Sequence, residues 1–304
     1  MKALVTGGAG FIGSHIIDAL IEKGLDVVCV DDLSNGKPEN INKKAKFHKI
    51  NILNQSKLKK IFSKEKFDFV FHEAALVSIR NSLTNFYGDS QTNVLGTLSI
   101  IEACKLHPPK RLIYASSMGV YADSLNRKSL KESDKTEPLS PYGISKLASE
   151  KYIELLCPSL GIEYAILRYF NTYGPRQKFS PYVGVITIFS KLLKKGKTPI
   201  IYGDGTQCRD FIHVQDVSRA NICAMVTKHS NEVYNIGTGE ASSINYIYKL
   251  ISRVYSQDNK PKYLKKDETE LNYAVADTQK AATKLKFKSK IKLDVEQIRT
   301  LFSE

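Results

Sequence analysis

Thr6-Gly7-Gly8-Ala9-Gly10-Phe11-Ile12-Gly13 decides how this chain folds. It stands between a β-rich run, Lys2–Thr6, and a pattern over Phe11–Lys23 whose apolar residues recur at helical spacing. Glycines at a strand-to-helix junction permit a tight turn and let the backbone approach a ligand. The helix that follows presents unpaired N–H groups to an anion, so a pyrophosphate is the expected occupant. No G-x-x-x-x-G-K-[ST] run offers a competing phosphate loop. The next strand, Asp26–Val30, leads into Asp31-Asp32, about 20 residues beyond the turn. An acid there accepts hydrogen bonds from an adenosine ribose and repels a 2′-phosphate, which points to NAD rather than NADP.

Outward from this turn the alternation continues. Lys46–Asn51 and Phe67–His72 read as strands, and Arg111–Ser116 follows a helix around Thr92–Lys105. Tyr164–Phe170 supplies a further strand. Strands alternating with helices imply crossover connections and a parallel sheet covered on both faces. From about Asn171 the chain becomes richer in loops: Tyr173-Gly174-Pro175-Arg176, Ser180-Pro181 and Tyr202-Gly203-Asp204-Gly205. The expectation is an α/β chain: a doubly wound parallel sheet over residues 1–170 and a smaller C-terminal α/β domain over 171–304. Within the latter, about 210–240 is expected to return toward the sheet through Asp210–Val214 and Val233–Ile236.

Composition narrows the function classes. With 304 residues, 42% hydrophobic, the chain can bury a core without disulfide or metal staples. No apolar run approaches the roughly 18 residues of a membrane span, and the first residues enter the glycine turn rather than a signal-peptide stretch. Cys29, Cys104, Cys157, Cys208 and Cys223 are scattered, with no C-x-x-C, which fits a reducing cytoplasm. His72-Glu73 opens like a helical zinc motif, but Leu76 stands where the second histidine belongs, so no metal is expected. Lys+Arg number 45 against 31 Asp+Glu, a net charge of +14 that favours anionic partners. These could be nucleic acid, a membrane surface or a phosphorylated small molecule. Lys284, Lys286, Lys288, Lys290 and Lys292 alternate with Leu285, Phe287, Ser289, Ile291 and Leu293, which puts the lysines on one face of an extended segment. Without a series of stacking aromatics this is read as a solvated edge, not a nucleic-acid site.

Ser140-Pro141-Tyr142-Gly143-Ile144-Ser145-Lys146 opens another helix, with Ser140 as cap and Pro141 in its first turn. Tyr142 and Lys146 are four apart and share a face. A free tyrosine titrates near about 10, so a tyrosine base needs help at neutral pH, and a nearby ammonium favours its ionised form. Ser116-Ser117, at a strand end, can bond the same substrate oxygen. Ser117, Tyr142 and Lys146 are therefore the candidate catalytic residues.

Across nearly its whole length the chain resembles the extended short-chain dehydrogenase/reductases, within them the nucleotide-sugar epimerase/dehydratase group, and most closely UDP-hexose 4-epimerases. The markers are Gly7–Gly13, Asp31-Asp32-Leu33-Ser34-Asn35-Gly36, Phe71-His72-Glu73-Ala74-Ala75, Asn93-Val94-Leu95-Gly96-Thr97 and Tyr114-Ala115-Ser116-Ser117. Beyond Tyr142 and Lys146 come Leu167–Asn171, Tyr173–Gln177, Tyr202–Gly205, Arg209-Asp210-Phe211 and Asn235–Gly239. The resemblance implies a Rossmann domain holding NAD through Gly7, Gly10, Phe11, Ile12, Gly13, Asp31, Asp32, Asn35, Gly36, Asn51, Ile52, Ala74, Ala75, Asn93, Tyr142, Lys146 and Phe170. It implies a UDP-sugar held by Ser117, Asn171, Val185, Tyr202, Arg209 and Ala274. In the implied cycle Tyr142 removes the 4-hydroxyl proton, hydride leaves C4, and the 4-keto sugar turns over and takes hydride on its other face. The family also implies a homodimer, here through the stretches around Phe86–Lys105 and Tyr142–Leu156.

The sequence departs from the family at three places. Asn51 stands where an Asp is usual near the adenine, and it can still accept and donate. The arginine of a second phosphate clamp is missing from Asp267-Glu268-Thr269-Glu270, where Lys265 or Lys266 could supply charge but not bidentate geometry. A bulky tyrosine that confines relatives to glucose and galactose is replaced by Ala274, so UDP-GlcNAc and UDP-GalNAc are expected substrates beside UDP-Glc and UDP-Gal. A 4,6-dehydratase would need an acid/base pair after the catalytic serine, where this chain has Met118-Gly119. UDP-glucuronate epimerases and decarboxylases stay open, and from another class a NAD-sensing or nucleic-acid-binding protein, though neither of these needs Tyr142, Lys146 and Ser117.

Overall fold

The computed structural model describes residues 1–124, 126–178, 184–257, 260–265 and 271–301. The Asp267–Glu270 stretch, with Lys266, and Ser180-Pro181 lie outside the described residues. The first part of the chain runs β1 (Lys2–Thr6), α1 (Phe11–Glu22), β2 (Asp26–Asp31), β3 (Lys46–Lys49), α2 (Gln55–Glu65) and β4 (Phe69–His72). The short helices α3 (Ile79–Thr84) and α4 (Phe86–Ser90) lead through a π-turn, Gln91–Leu95, into α5 (Gly96–Cys104). Then come β5 (Arg111–Ser117), α6 (Pro141–Ser159), β6 (Glu163–Tyr169) and β7 (Asn171–Tyr173).

Neighbouring residues on each central strand enter different cores, because side chains alternate across a strand. Ala3 and Val5, Val27 and Cys29, Phe69 and Phe71 pack with Ile16, Ile17 and Leu20 of α1. Leu4, Val28 and Val70 pack on the other face with Leu58 and Phe62 of α2, Ile100 of α5 and Ile153 of α6. A strand buried on both sides reads as a continuous apolar run, as these do.

The remaining elements are α7 (Val185–Lys194), β8 (Ile200–Tyr202), β9 (Cys208–Arg209), β10 (Phe211–His213), α8 (Val214–Val226), β11 (Glu232–Ile236), β12 (Ser242–Ser243), α9 (Ile244–Tyr255), β13 (Lys262–Leu264), β14 (Tyr273–Ala274) and α10 (Val295–Thr300). The main sheet has seven strands in the order β11-β6-β5-β4-β1-β2-β3. All its pairings are parallel. The chain winds outward from β1 in one direction through β2 and β3, then in the other through β4, β5 and β6. Its switch point is the crevice between β1 and β4, where open α/β sheets bind ligands at the carboxyl ends of strands. β10 pairs with β7 in a separate two-stranded sheet, while β11 joins the main sheet beside β6. Smaller pairings join β9 to β12 and β14, and β8 to β13. A third apolar cluster, with Phe189, Leu193, Ile247 and Ile251, underlies this second half.

The lysine row departs from expectation. Residues 286–294 form no strand, although Lys286, Lys288, Lys290 and Lys292 are exposed while Phe287 is buried. The segment is held by α8 rather than by a sheet edge: the Asp216 carboxylate accepts from the backbone of Lys290 at 2.7 Å and of Ile291 at 2.9 Å. The Arg219 guanidinium covers the Phe287 ring. Lys284 is paired with Glu232, so it is not part of the solvated face. Among the described residues no helix is long and apolar enough to cross a membrane.

Candidate active site

Gly7 leaves β1 at a φ of +67°, and a Cβ there would stand 2.7 Å from the Ala74 backbone nitrogen. Gly13, in the first turn of α1, lies so close to the same turn that its Cβ would meet the Gly7 carbonyl oxygen at 2.3 Å. Gly10 caps α1 without a side-chain hydrogen bond, and no acid stands in the first turn, which includes Phe11 and Ile12. A helix terminus bare of side-chain caps, behind backbone this tightly folded, suits a pyrophosphate.

Asp31 ends β2, where its carboxylate accepts from Ala9 N at 3.0 Å and Leu33 N at 2.7 Å. Burial raises its carboxyl above the usual range, against these two backbone bonds. It thus ties the strand end to the glycine turn and keeps lone pairs for a ribose. Asp32 accepts from Ser34 N at 2.8 Å and from Asn51 Nδ2 at 2.7 Å. The amide at position 51 therefore serves as a donor to an acid, which an aspartate could not do while ionised. Asn35 and Gly36 continue the same loop, with Gly36 against Ala9. Ile52 is buried beside Gly96.

Ala74 and Ala75 follow β4, and Ala74 N donates to Thr6 Oγ1 at 3.2 Å. Asn93 fastens this loop: its Oδ1 accepts from Leu76 N at 2.8 Å, and its Nδ2 lies 3.1 Å from Ser145 Oγ of α6. In this structure Asn93 is a tie between the π-turn, the loop and α6.

Ser140 caps α6, its Oγ accepting from Gly143 N at 3.2 Å, and Pro141 fills the first turn. This places Tyr142 and Lys146 side by side over the end of β5. Ser117 Oγ accepts from Gly119 N at 3.1 Å and lies beside the Tyr142 ring, for a Cβ on Gly119 would stand 3.4 Å from the one and 3.7 Å from the other. Lys146 Nζ donates to the Ala115 carbonyl at 2.8 Å and lies 4.8 Å from the Tyr114 ring centre. Burial pushes Tyr142 up to about 12, with Asp89 and Glu73 adding to the rise and the neighbouring Ser117 hydroxyl acting against it. Tyr142 therefore stands above its ordinary value here rather than below it, because desolvation of a phenolate outweighs the help around it. Burial pulls Lys146 down to about 8, opposed by Glu73, Asp89 and Glu150.

The expected substrate residues lie along the second half. Phe170 is buried and donates its N–H to Ile236 O at 3.0 Å. Asn171 follows, with Nδ2 3.2 Å from Asp210 O. Val185 begins α7, and Tyr202 ends β8. Arg209 of β9 and Ala274 of β14 are register partners. Arg209 is buried, with Nη1 donating to Cys208 O at 2.9 Å. Ala274 is fully buried against Val120, Tyr121 and Phe170. Asp210, between β9 and β10, anchors this region by accepting from Thr238 N, Gly239 N and Ala276 N.

Three residues at the site carried no sequence expectation. Ser82 Oγ accepts from Tyr142 N at 3.2 Å. The Arg80 guanidinium lies 4.4 Å over the Tyr202 ring, joining α3 to β8. Glu73, quoted in the sequence as part of a dismissed metal motif and of a family marker but given no role, accepts from Tyr169 OH at 2.9 Å. Among the described residues no cluster of His, Cys, Asp or Glu could hold a metal ion.

A family model described as the NAD dependent epimerase/dehydratase family matches residues 3–237. The UDP-glucose 4-epimerase of Mycolicibacterium smegmatis is 32% identical over 268 residues, 86% of this chain and 85% of that protein. The crystal structure of the Thermotoga maritima UDP-glucose 4-epimerase with UDP-glucose superposes with a TM-score of 0.95 at 38% identity, covering 99% of this chain and 97% of that one. The UDP-N-acetylglucosamine 4-epimerase of Methanobrevibacter ruminantium, in complex with UDP-N-acetylmuramic acid, gives a TM-score of 0.91 at 38% identity over 99% and 96% of the two chains.

Proposed function

The chain belongs to the NAD dependent epimerase/dehydratase family, and we propose that it interconverts the C4 epimers of a UDP-hexose, UDP-GlcNAc/UDP-GalNAc and also UDP-Glc/UDP-Gal. The observation that carries this reading is the gathering of Ser117, Tyr142 and a buried Lys146 at one strand end: a Cβ on Gly119 would meet both Ser117 Oγ and the Tyr142 ring, and Lys146 Nζ donates to Ala115 O two residues before Ser117. The glycine turn and α1 would hold the NAD pyrophosphate, Asp31 and Asp32 the adenosine ribose, Asn51 and Ile52 the adenine side, and Ala74, Lys146 and Phe170 the nicotinamide side. Bound there, NAD supplies the hydride acceptor and donor for C4 of the sugar.

Tyr142 takes the proton of the sugar 4-hydroxyl and later returns one to the same oxygen. Ser117 holds that oxygen in line. Lys146, one helical turn from Tyr142, is assigned the nicotinamide ribose and the task of favouring the ionised tyrosine, which burial holds near 12. Inversion at C4 requires both sugar faces to be presented, so the nucleotide must be held firmly and the sugar loosely. Arg209, Asn171, Val185 and Tyr202 are assigned the firm part. The small side chain of Ala274 supports acceptance of an N-acetyl group, as does the likeness to a UDP-N-acetylglucosamine 4-epimerase.

Residues 1–170 with β11 form the NAD side, and the rest of 171–304 the UDP-sugar side. A homodimer through α5 and α6 is supported by Ile144, Tyr152 and Leu155, 57%, 41% and 71% exposed on one face of α6. Five cysteines without a disulfide suit a reducing cytoplasm. The test is incubation with UDP-Glc, UDP-GlcNAc and UDP-GlcA, with products resolved by NMR and the bound nucleotide identified after denaturation. C4 epimers from the hexoses and released NAD are expected. A pentose, a stable keto sugar or selective turnover of the uronate would replace this reading. Tyr142→Phe is expected to lower turnover by about 10²–10⁴-fold with NAD retained.

A further inference from the structure

β14, which carries Ala274, is an edge strand bonded to β9 along one side only. On that side Cys208 N donates to Asn272 O and Asp210 N to Ala274 O, both at 3.0 Å. Its outer side is covered by no further strand but by the segment that leaves the catalytic serine. Asp123 Oδ1 accepts from Asn272 N at 2.7 Å and from Tyr273 N at 3.3 Å, while its Oδ2 accepts from the Asn272 side-chain amide. One carboxylate thus takes the N–H groups at the entry of β14, which an edge otherwise leaves bare. Farther on, Leu130 N donates to Val275 O, and Leu130 O accepts from Asp277 N, each at 2.8 Å. Between these ties the Arg127 guanidinium lies 5.5 Å from the Tyr273 ring centre and donates from Nη2 to Cys208 Sγ at 3.1 Å.

The two ties straddle Ala274, and they differ in what backs them. Leu130 is buried in the same apolar cluster as Ala274, Val120 and Phe170, so packing holds the far tie. The near tie depends on the Asp123 carboxylate. Asp123 is itself fixed relative to the catalytic serine: it follows Ser117 through the turn Met118–Val120 and the fully buried Tyr121, whose OH donates to Asn235 Oδ1 at 2.6 Å. The Asp123–Asn272 bonds lie at the surface, where water can replace a lost acceptor, so their removal loosens the strand entry without orphaning a buried group.

We propose that Asp123 is a positioning residue for the sugar pocket: by capping the entry of β14 its carboxylate fixes where Ala274 stands relative to Ser117, and so holds open the space for a substituent on C2 of the sugar. The proposal rests on the epimerase reading above and deepens it. Selectivity at this wall then depends on two things, the size of residue 274 and the anchoring of the strand that carries it. A sugar with an N-acetyl group feels the anchoring, and one with a bare hydroxyl feels it far less.

The experiment compares UDP-GalNAc and UDP-Gal turnover by the whole protein. In Asp123→Ala the KM for UDP-GalNAc is expected to rise about tenfold, the size of one lost pocket contact. Its kcat, and both constants for UDP-Gal, are expected to hold within about twofold, the pattern of lost ground-state binding. Asp123→Asn keeps an oxygen for the two backbone N–H groups but sets two amide NH2 groups against each other; it is expected to show a smaller rise, and it carries the test if Asp123→Ala does not fold. The double variant Asp123→Asn/Asn272→Asp exchanges donor and acceptor between the two side chains and is expected to restore the wild-type ratio. An unchanged ratio of the two substrates in the folded single variants overturns the proposal. So does an equal loss of both with a lowered melting temperature, which makes Asp123 a stabilising contact only. Absence of turnover of either substrate by the wild type overturns the epimerase reading, and the proposal with it.

Discussion

Arg168 of β6 grips Glu150 of α6 with two nitrogens, Nε at 2.9 Å and Nη2 at 2.7 Å, in a pair whose side chains are only 4% and 0% exposed. Ser116 Oγ donates to the same carboxylate at 2.5 Å, one residue before Ser117. The pair therefore ties α6, which carries Tyr142 and Lys146, to the strand end that carries the serine. Arg168→Met leaves a buried carboxylate with a hydroxyl as its sole strong partner. A loss of about 3–5 kcal/mol in urea unfolding is expected. The double variant Arg168→Met/Glu150→Leu should regain most of it, since the penalty comes from the orphaned charge. A single variant as stable as wild type would remove this pair from the account.

The glycine turn gives a second prediction. A Cβ at Gly13 would sit 2.3 Å from the Gly7 carbonyl oxygen, a backbone atom that cannot move aside without opening the turn. Gly13→Ala should weaken NAD binding at least tenfold, about 1.4 kcal/mol, measured by calorimetry. Gly24→Ala is the contrast: its positive φ strains any side chain, but no atom lies within 4 Å, and NAD affinity should hold.

The turn, β1 and Asp31 were legible in the sequence because their reasons are local: glycines, alternation and an acid at a strand end. The helix boundary at Ser140 was legible for the same reason. What escaped lies in pairings between distant residues. β10 joins β7 through a partner strand some forty residues earlier, and nothing in Asp210–Val214 marks that choice. Alternation in the lysine row marked Lys286, Lys288, Lys290 and Lys292 as exposed, but it misplaced Lys284, and it could not reveal that Asp216, 74 residues earlier than Lys290, would hold the segment in place of a neighbouring strand. Glu73 and Tyr169 are 96 residues apart, and their bond exists only because β4 and β6 bring their carboxyl ends to one floor.

His72 gives a pH dependence of stability. Thr6 Oγ1 accepts from Ala74 N and so turns its proton to His72 Nδ1 at 2.7 Å. Thr97 Oγ1 donates to Asn93 O and so accepts from His72 Nε2 at 3.0 Å. The neutral ring is fully satisfied, and a second ring proton has no acceptor. Burial first, then the Lys146 charge, pull the value from 6.5 to about 3. The unfolded chain therefore binds a proton that the folded chain refuses at pH values between these two. Above about 6.5 the group contributes no slope; as pH falls from there toward 3, stability drops by about 1.4 kcal/mol per unit. Unfolding free energies of wild type and His72→Gln between about pH 6 and 4 should diverge by that slope, the variant being flatter. Parallel curves would show that the ring is not neutral in the fold.

Ala274 is where sugar selectivity is expected to sit, and its surroundings set the terms of the test. It pairs in register with Arg209, the assigned diphosphate ligand, and packs on Phe170 and on Val120 just beyond Ser117. A larger side chain there must push either into this cluster or toward the sugar. Overpacking alone costs about 1–3 kcal/mol, which a thermal melt reads directly. A lost N-acetyl pocket would instead appear as a fall in UDP-GalNAc turnover with UDP-Gal turnover kept. Ala274→Tyr is expected to show the second effect in protein that still melts cooperatively. Equal loss of both substrates with a lowered melting temperature would make Ala274 a packing residue, and unchanged turnover of both would place the selectivity elsewhere.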